Sequence, residues 1–275
     1  MPNRQPPLIV HDSRGTSLRG SAAEYRHFST LFLFLILRDV RLRFRQTAFG
    51  VGWAVLQPLL PMAVFAAVFS RLNFDTGGVP YPLFAFSGLA PWIFIANATT
   101  NAAPIFVNNF QMLNKVYFPR AILPGAAVSA LVLDAIVAWV AVILLSLWYG
   151  YRPVWSWLLF PAVGSAAWIL AVSAGLAAAC LTALLRDIKN VVPFLVQVWA
   201  YASRVFYPID LLPASVRPFA GLNPVAGVLA AFRACLFGTA PDWPLLGLSA
   251  LALGVLVAGS IWLFHHVEND LAERV

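Results

Sequence analysis

The chain has 275 residues, of which 61% are hydrophobic and 11% charged, with a formal net charge of +7 and a mean hydropathy of +0.79. Soluble domains carry about a quarter charged residues, so this balance excludes an ordinary soluble domain and points to an integral membrane protein. A basic excess in so apolar a chain fits membrane topology and anionic lipid better than nucleic acid.

Residues 1–27 are polar, contain Pro2, Pro6 and Pro7, and lack an apolar core with a small-residue cleavage site. They read as a flexible cytoplasmic tail rather than a signal peptide. The stretch RDVRLRFRQTAFGVGW then runs from Arg38 to Trp53. At 100° per residue, Leu33, Ile36, Leu37, Val40 and Phe44 share an arc of about 100°, and Arg38, Arg41 and Arg45 a neighbouring arc of about 60°. Arg43 falls near the apolar side, from which it can snorkel. The fully apolar run from Leu31 to Leu37 is seven residues, too short to cross a bilayer. The pattern predicts an amphipathic helix over 28–46 at the cytoplasmic interface, its arginines toward lipid phosphate or a soluble partner. A solvated basic juxtamembrane segment is the plainer alternative. A nucleic-acid patch is disfavoured, because no aromatic-interleaved basic surface continues elsewhere.

Nearly uncharged windows of about 20 residues mark six spans, at 50–70, 82–104, 121–149, 157–185, 191–209 and 243–265. Pro58 and Pro61 predict a kink or break in the first, and Arg204 weakens the far end of the fifth. With the N-terminus inside, thirteen lysines and arginines fall on inner segments, against five (Arg71, Arg152, Arg204, Arg217, Arg233) toward the outside. That bias and the even span count place both termini in the cytoplasm. Before the last span, the segment YPIDLLPASVRPFAGLNPVAGVLAAFRACLFG divides at Leu222-Asn223-Pro224 into two short apolar helices, about 213–221 and 225–236. They read as re-entrant elements covering a pathway or as padding of the outer face.

Chemistry is sparse. The chain holds no GxxxxGK[ST], and its two lysines, Lys115 and Lys189, follow no glycine-rich loop, so no P-loop is recognisable. His11, His27 and the adjacent His265 and His266 form no HExxH, and no GxSxG elbow is present, which speaks against a metal site or a hydrolase triad. Cys180 and Cys235 lie 55 residues apart in apolar surroundings and read as small buried hydrophobes. Asp134, mid-span, and Arg204 are the ionisable residues within the predicted spans. Asp134 reads first as a residue joining helices by a hydrogen bond or ion pair, with Arg204 as one partner to consider. Trp148, Trp155, Trp157, Trp243 and Trp262 suit interfacial belts. Trp53, Phe65, Phe69, Trp92, Phe94, Trp139, Trp199 and Tyr201 suit either a core or a channel on whose aromatic faces sugar rings stack, with Arg204 and Tyr207 toward its outer end. The inner loops NNFQMLNKVYFPR (Asn108 to Arg120) and LLRDIKN (Leu184 to Asn190) read as docking elements for a soluble partner or as tight solvated turns.

The run RDVRLRFRQTAFGVGWAVLQPLLPMAVFAAVF resembles the start of the permease subunits of polysaccharide and polyol-phosphate ABC exporters, the class that exports O-antigen, capsule or teichoic acid. The shared features are an RD followed by basic residues, the R-x-x-x-x-G-x-x-W core (Arg45, Gly50, Trp53) and QP (Gln57, Pro58). NKVYFPRAILP, LLRDIKN, YPIDLLP and LNPVAGVLAAFRACLFG follow in the same order, so the resemblance covers residues 28–265.

The resemblance implies an all-α integral membrane protein of the bacterial inner membrane. Six transmembrane helices would follow an amphipathic interface helix, with two short re-entrant gate helices before the last span. Two copies would enclose a channel and sit on two cytosolic P-loop ATPase subunits, which would hold the ATP and Mg; no cofactor is expected in this chain. The substrate would be a glycan on an undecaprenyl-pyrophosphate or related lipid. Arg38, Arg41, Arg43 and Arg45 would lie near its point of admission, since arginine engages pyrophosphate bidentately. Asn114, Lys115, Tyr117, Phe118 and Arg120, together with Arg186, Asp187 and Lys189, would couple to the ATPase. Arg204 departs from the family's uncharged residue at that position. A membrane-embedded transferase acting on a lipid-linked glycan and an ion-coupled carrier are the competing readings. The lack of a carboxylate pair and the sparse intramembrane charge count against them.

Overall fold

The computed structural model describes residues 22–44, 52–69, 76–115, 118–208 and 217–268, and these residues form helices and turns with no strand among them. The elements are α1 (Ala22–Phe44), α2 (Gly52–Phe69), α3 (Tyr81–Ala102), the short α4 (Ile105–Asn108) and α5 (Phe110–Lys115), α6 (Ile122–Ser129) and α7 (Val132–Trp148). A 3-10 turn (Trp155–Leu159) leads into α8 (Phe160–Leu184), then α9 (Ile188–Ala202), a second 3-10 turn (Arg217–Leu222), α10 (Pro224–Phe237) and α11 (Trp243–Glu268). Four segments are long and apolar enough to cross a membrane: Tyr81–Ala102, Ile122–Trp148, Trp155–Leu184 and Trp243–Glu268. The helices in the remaining two predicted windows are shorter, with 18 residues in α2 and 15 in α9.

Helix α3 is the hub, in contact with α2, α6, α7, α8, α9 and α10. Small residues around it, Ala85, Ala90, Ala98 and Ala102, are all but fully buried, which lets neighbouring backbones approach. A Cβ on Gly175 of α8 would lie 2.8 Å from the Ala102 Cβ, so glycine is required at that crossing. The main apolar cluster surrounds α3 and includes Phe86, Ile95, Val142, Leu170, Leu229 and Phe232. A second cluster joins Leu35 of α1 to Phe106, Phe118, Leu123, Cys180 and Phe264.

Several sequence expectations change in detail. The helix expected over 28–46 begins at Ala22, because Ala-Ala-Glu is a good helix start and nothing there breaks it; residues 1–21 and 45–51 lie outside the described residues. The side of the helix that packs against protein adjoins the apolar arc and shares Ile36 with it. Leu35 is 1% exposed and Phe28, Leu31, Phe32 and Ile36 pack with it, whereas Leu33 and Leu37 point outward, both more than half exposed. Pro58 and Pro61 do not break α2, which is one helix through both. The third window divides instead at Ala130 and Leu131, where Leu131 N bonds Val128 O in a tightened turn (3.1 Å). Just before it, the Ser129 hydroxyl donates to the Gly125 carbonyl four residues back (2.8 Å) and accepts from Trp168 Nε1 (3.0 Å). Such back-bonding bends helices. The fifth window ends at Ala202 rather than 209, and of the two helices expected before the last span, the first is a 3-10 turn starting at Arg217, with 209–216 outside the described residues.

The approach of α10 to α11 is equally tight, since a Cβ on Gly227 would collide with Ser249. Gly227→Ala is expected to destabilise the folded protein by about 1–3 kcal/mol. Gly254→Ala, which meets nothing within 4 Å, should leave thermal unfolding in lipid nanodiscs unchanged. Equal melting of the two variants would contradict this helix crossing.

Candidate functional site

Polar side chains gather in two places, and both sit where helices meet. The first lies around the end of α1. Arg38 spends its charge locally, with Nε and Nη2 both 2.9 Å from Asp39 Oδ1. Arg43 reaches across to α7, with Nη1 2.9 Å from Asp134 Oδ2. Asp134 is therefore an ion-pairing residue, but its partner is Arg43 rather than Arg204. The side chains are 36% and 23% exposed, so the pair is half-buried and still reachable. Arg41 is exposed and forms no ion pair with a described residue, and Arg45 lies outside the described residues. Beside the pair, Gln57 of α2 and Asn97 of α3 exchange amide hydrogen bonds, Asn97 Nδ2 donating to Gln57 Oε1 (3.0 Å) and Gln57 Nε2 to Asn97 Oδ1 (3.4 Å). Gln57, Asn97 and Asp134 share the wall of a cavity of about 20 Å³.

The second place is the junction of α9, α10 and α3. The Asn223 side chain makes four bonds there. Oδ1 accepts from Val225 N (3.1 Å), which caps α10, and from Trp199 Nε1 (3.1 Å). Nδ2 donates to Ala202 O (3.2 Å) and Ser203 Oγ (2.9 Å) at the end of α9. Arg233, ten residues further along in α10, takes over from there. Its guanidinium donates to Val205 O (3.0 Å), Arg204 O (3.3 Å), Phe84 O (3.4 Å) and Ser87 Oγ (3.4 Å), and lies 3.9 Å over the Phe84 ring. Gly88 makes room, since a Cβ there would collide with the Val205 carbonyl. Arg204 has φ +56°, the one described non-glycine residue in the left-handed region. It is 8% exposed, and its Nε has no hydrogen-bond partner. Tyr81 OH donates to Phe206 O (3.0 Å) and so pins the same turn to α3.

A model of the ABC-2 type transporter family matches residues 30–237, more than two thirds of the chain. This chain belongs to the ABC-2 type transporter family. Among curated proteins it is similar to the O-antigen export system permease protein RfbA of Myxococcus xanthus, 27% identical over 92% of this chain and 98% of that one. A Klebsiella pneumoniae protein of the same name is 23% identical over 88% and 94%. The polysialic acid transport protein KpsM of Escherichia coli is 22% identical over 71% and 76%.

In this ABC-2 type subunit the aromatic residues expected to line a channel separate into two groups. Trp92 and Phe94 are core residues, each 5% exposed, and Trp92 meets Trp199 edge-on at 6.0 Å. Trp53 (50%) and Tyr201 (56%) are exposed. Phe65 stacks on Phe206 (4.2 Å), which in turn meets Tyr201 (5.7 Å), so an aromatic string joins α2 to α9. Tyr207 OH donates to Tyr201 O (2.7 Å) and braces its near end. Of Phe69 only the backbone is described. Leu60, Val64 and Val68 of α2 and Phe194, Leu195 and Val198 of α9 are also exposed, each at 49% or more.

The residues expected to couple to an ATPase also divide. Arg186, Asp187 and Lys189 stand exposed in the α8–α9 turn beside Leu185, itself 64% exposed. Phe118 is turned inward, 5% exposed in the second cluster, and Arg120 Nη1 donates to the Glu268 carbonyl at the end of α11. Tyr117 lies outside the described residues, as do the side chains of Asn114 and Lys115.

Sequence reading found the break at Leu222-Asn223-Pro224 but not the role of Asn223 or Arg233. The available signal was an Asn directly before a helix-starting proline, a strong cap position. Asn223→Ala leaves the Ala202 carbonyl and the Val225 and Trp199 N–H groups without their partner and should destabilise the junction by about 1–3 kcal/mol. Hydrogen exchange at the Val225 amide should quicken in Asn223→Ala and stay slow in Asn223→Asp, which keeps the acceptor. Unchanged protection in the alanine variant would contradict the cap.

Proposed function

We propose that this chain is the permease subunit of an ATP-driven exporter that carries a lipid-linked polysaccharide, an O-antigen-like glycan on undecaprenyl pyrophosphate, across the bacterial inner membrane. The observation that carries this reading is similarity over nearly the whole length to proteins named for O-antigen export. On this reading α2 and α9 complete six spans, and α1 lies at the cytoplasmic interface with Leu33 and Leu37 in lipid and Arg41 toward headgroups. The 3-10 turn and α10 form the two short re-entrant elements before the last span, and both termini are cytoplasmic.

The exposed apolar faces of α2 and α9 need a partner, and a second copy of this chain supplies one. The two copies enclose a path to which Trp53, Phe65, Phe69 and Tyr201 offer stacking faces for sugar rings. Trp92, Phe94 and Trp199 support that wall from behind, and Arg204 and Tyr207 shape its outer end. Two cytosolic P-loop ATPase subunits bind below and hold ATP and Mg. The exposed turn Leu185, Arg186, Asp187 and Lys189 is their main contact on this chain. Asn114, Lys115 and Tyr117 join it, with Phe118 and Arg120 anchoring that loop to the second cluster and to α11.

Purified alone, the chain should hydrolyse no ATP; hydrolysis should appear only with the partner ATPase. The double variant Arg186→Glu/Lys189→Glu should weaken ATPase association at least tenfold in a pull-down while two copies of the permease stay together. Hydrolysis by the chain alone, or full ATPase capture by the double variant, would overturn the reading.

A further inference from the structure

The four arginines of the expected admission site are not equivalent. Arg38 is neutralised by Asp39 on its own helix, whereas Arg43 is held by a carboxylate on another helix, Asp134 of α7, at 2.9 Å. A salt bridge of this kind is weak evidence for stability, and more than a third of the Arg43 side chain is exposed. A phosphate or pyrophosphate group with multiple acceptor oxygens competes well for a guanidinium.

Asp134 is also provided for once its arginine leaves. It lines the same small cavity as Gln57 and Asn97, whose amides carry hydrogen-bond donors beyond the reciprocal pair they form. The cavity, about 20 Å³, has room for one water molecule, and these three side chains line it with the two to four polar partners that such a water needs. The carboxylate therefore need not be stranded in an apolar wall when Arg43 turns away.

We propose that Asp134 is a built-in competitor for the anionic headgroup of the substrate: it holds Arg43 against α7 until a lipid pyrophosphate displaces it, and the Gln57–Asn97 pair with one water then receives the released carboxylate. Arg43 contacts the headgroup, and Asp134, Gln57 and Asn97 are positioning residues. The exchange joins α1, α2, α3 and α7 at one polar node, so arrival of a headgroup frees the end of α1 from α7. It rests on the exporter reading, in which the headgroup is an isoprenoid pyrophosphate.

The test is binding of farnesyl pyrophosphate to the full chain with its ATPase in neutral phosphatidylcholine nanodiscs, with farnesol as the uncharged control. Asp134→Asn should lower the Kd about tenfold, as removal of an internal competitor raises the competent fraction. Asp134→Glu, which keeps the charge, should bind as the native chain does. Arg43→Gln should weaken binding and abolish the gain from Asp134→Asn when the two are combined. Unchanged or weaker binding by Asp134→Asn, with the native chain binding normally, would overturn the exchange and leave the admission of a pyrophosphate lipid standing. Unchanged binding by Arg43→Gln alone would overturn it too, whatever Asp134→Asn does. Failure of every form, the native chain included, to bind farnesyl pyrophosphate above farnesol would overturn the exporter's headgroup reading together with the exchange.

Discussion

A helix that ends among apolar neighbours leaves carbonyls that water cannot reach, and the end of α9 shows how this chain meets that constraint. The backbone from Ala202 to Val205 leaves the helix through a left-handed residue, Arg204. Asn223 bonds the last helical carbonyl, that of Ala202, and Arg233 collects those of Arg204 and Val205 with one guanidinium. Unmet, each group costs about 1–3 kcal/mol in a dry setting. Both side chains that meet them belong to the segment leading into and forming α10, so the position of α10 and the shape of the α9 end are set together. Ser249 of α11 closes the same unit by donating to the Gly221 carbonyl (2.9 Å).

The α1 end solves a related problem with charge. Arg43, Asp134, Gln57 and Asn97 come from four different helices and leave a void that admits one water molecule. The two polar junctions differ in the way their proposed roles require. Asn223 and Arg233 satisfy fixed backbone groups, which favours a rigid wall, whereas Arg43 and Asp134 pair two partly exposed side chains, which on the proposed exchange an incoming anion separates. Between them runs the apolar face of α2 and α9, exposed in the single subunit and carrying Trp53 and Tyr201.

Much of the architecture was legible in the sequence because hydrophobic length is a strong signal. The windows 82–104, 157–185 and 243–265 correspond closely to Tyr81–Ala102, Trp155–Leu184 and Trp243–Glu268. The division at Ala130 was invisible because it arises from the Ser129 hydroxyl and its Trp168 partner, neither of which interrupts the apolar run. The two prolines of α2, a conspicuous breaker signal, left the helix whole. Helical periodicity marked the arc of α1 that holds Leu33 and Leu37, both exposed, but not the adjoining side around Leu35 that packs against protein, since a helix in lipid can turn apolar residues both to protein and to membrane. Long-range pairings were the least legible. Nothing local marks Arg43 rather than Arg204 as the partner of Asp134, and Phe118, aromatic beside a basic loop, reads equally as a contact surface or as core.

In the proposed function, ATP hydrolysis in a separate subunit drives a lipid-linked glycan through this chain. Proteoliposomes containing the chain and its P-loop ATPase, loaded with an undecaprenyl-pyrophosphate-linked glycan, test it directly through the fraction of glycan that becomes accessible on the opposite leaflet. Translocation should require both proteins, ATP and Mg, and should persist when ion gradients are collapsed. Translocation by this chain alone, driven by a proton or sodium gradient without ATP, would contradict it.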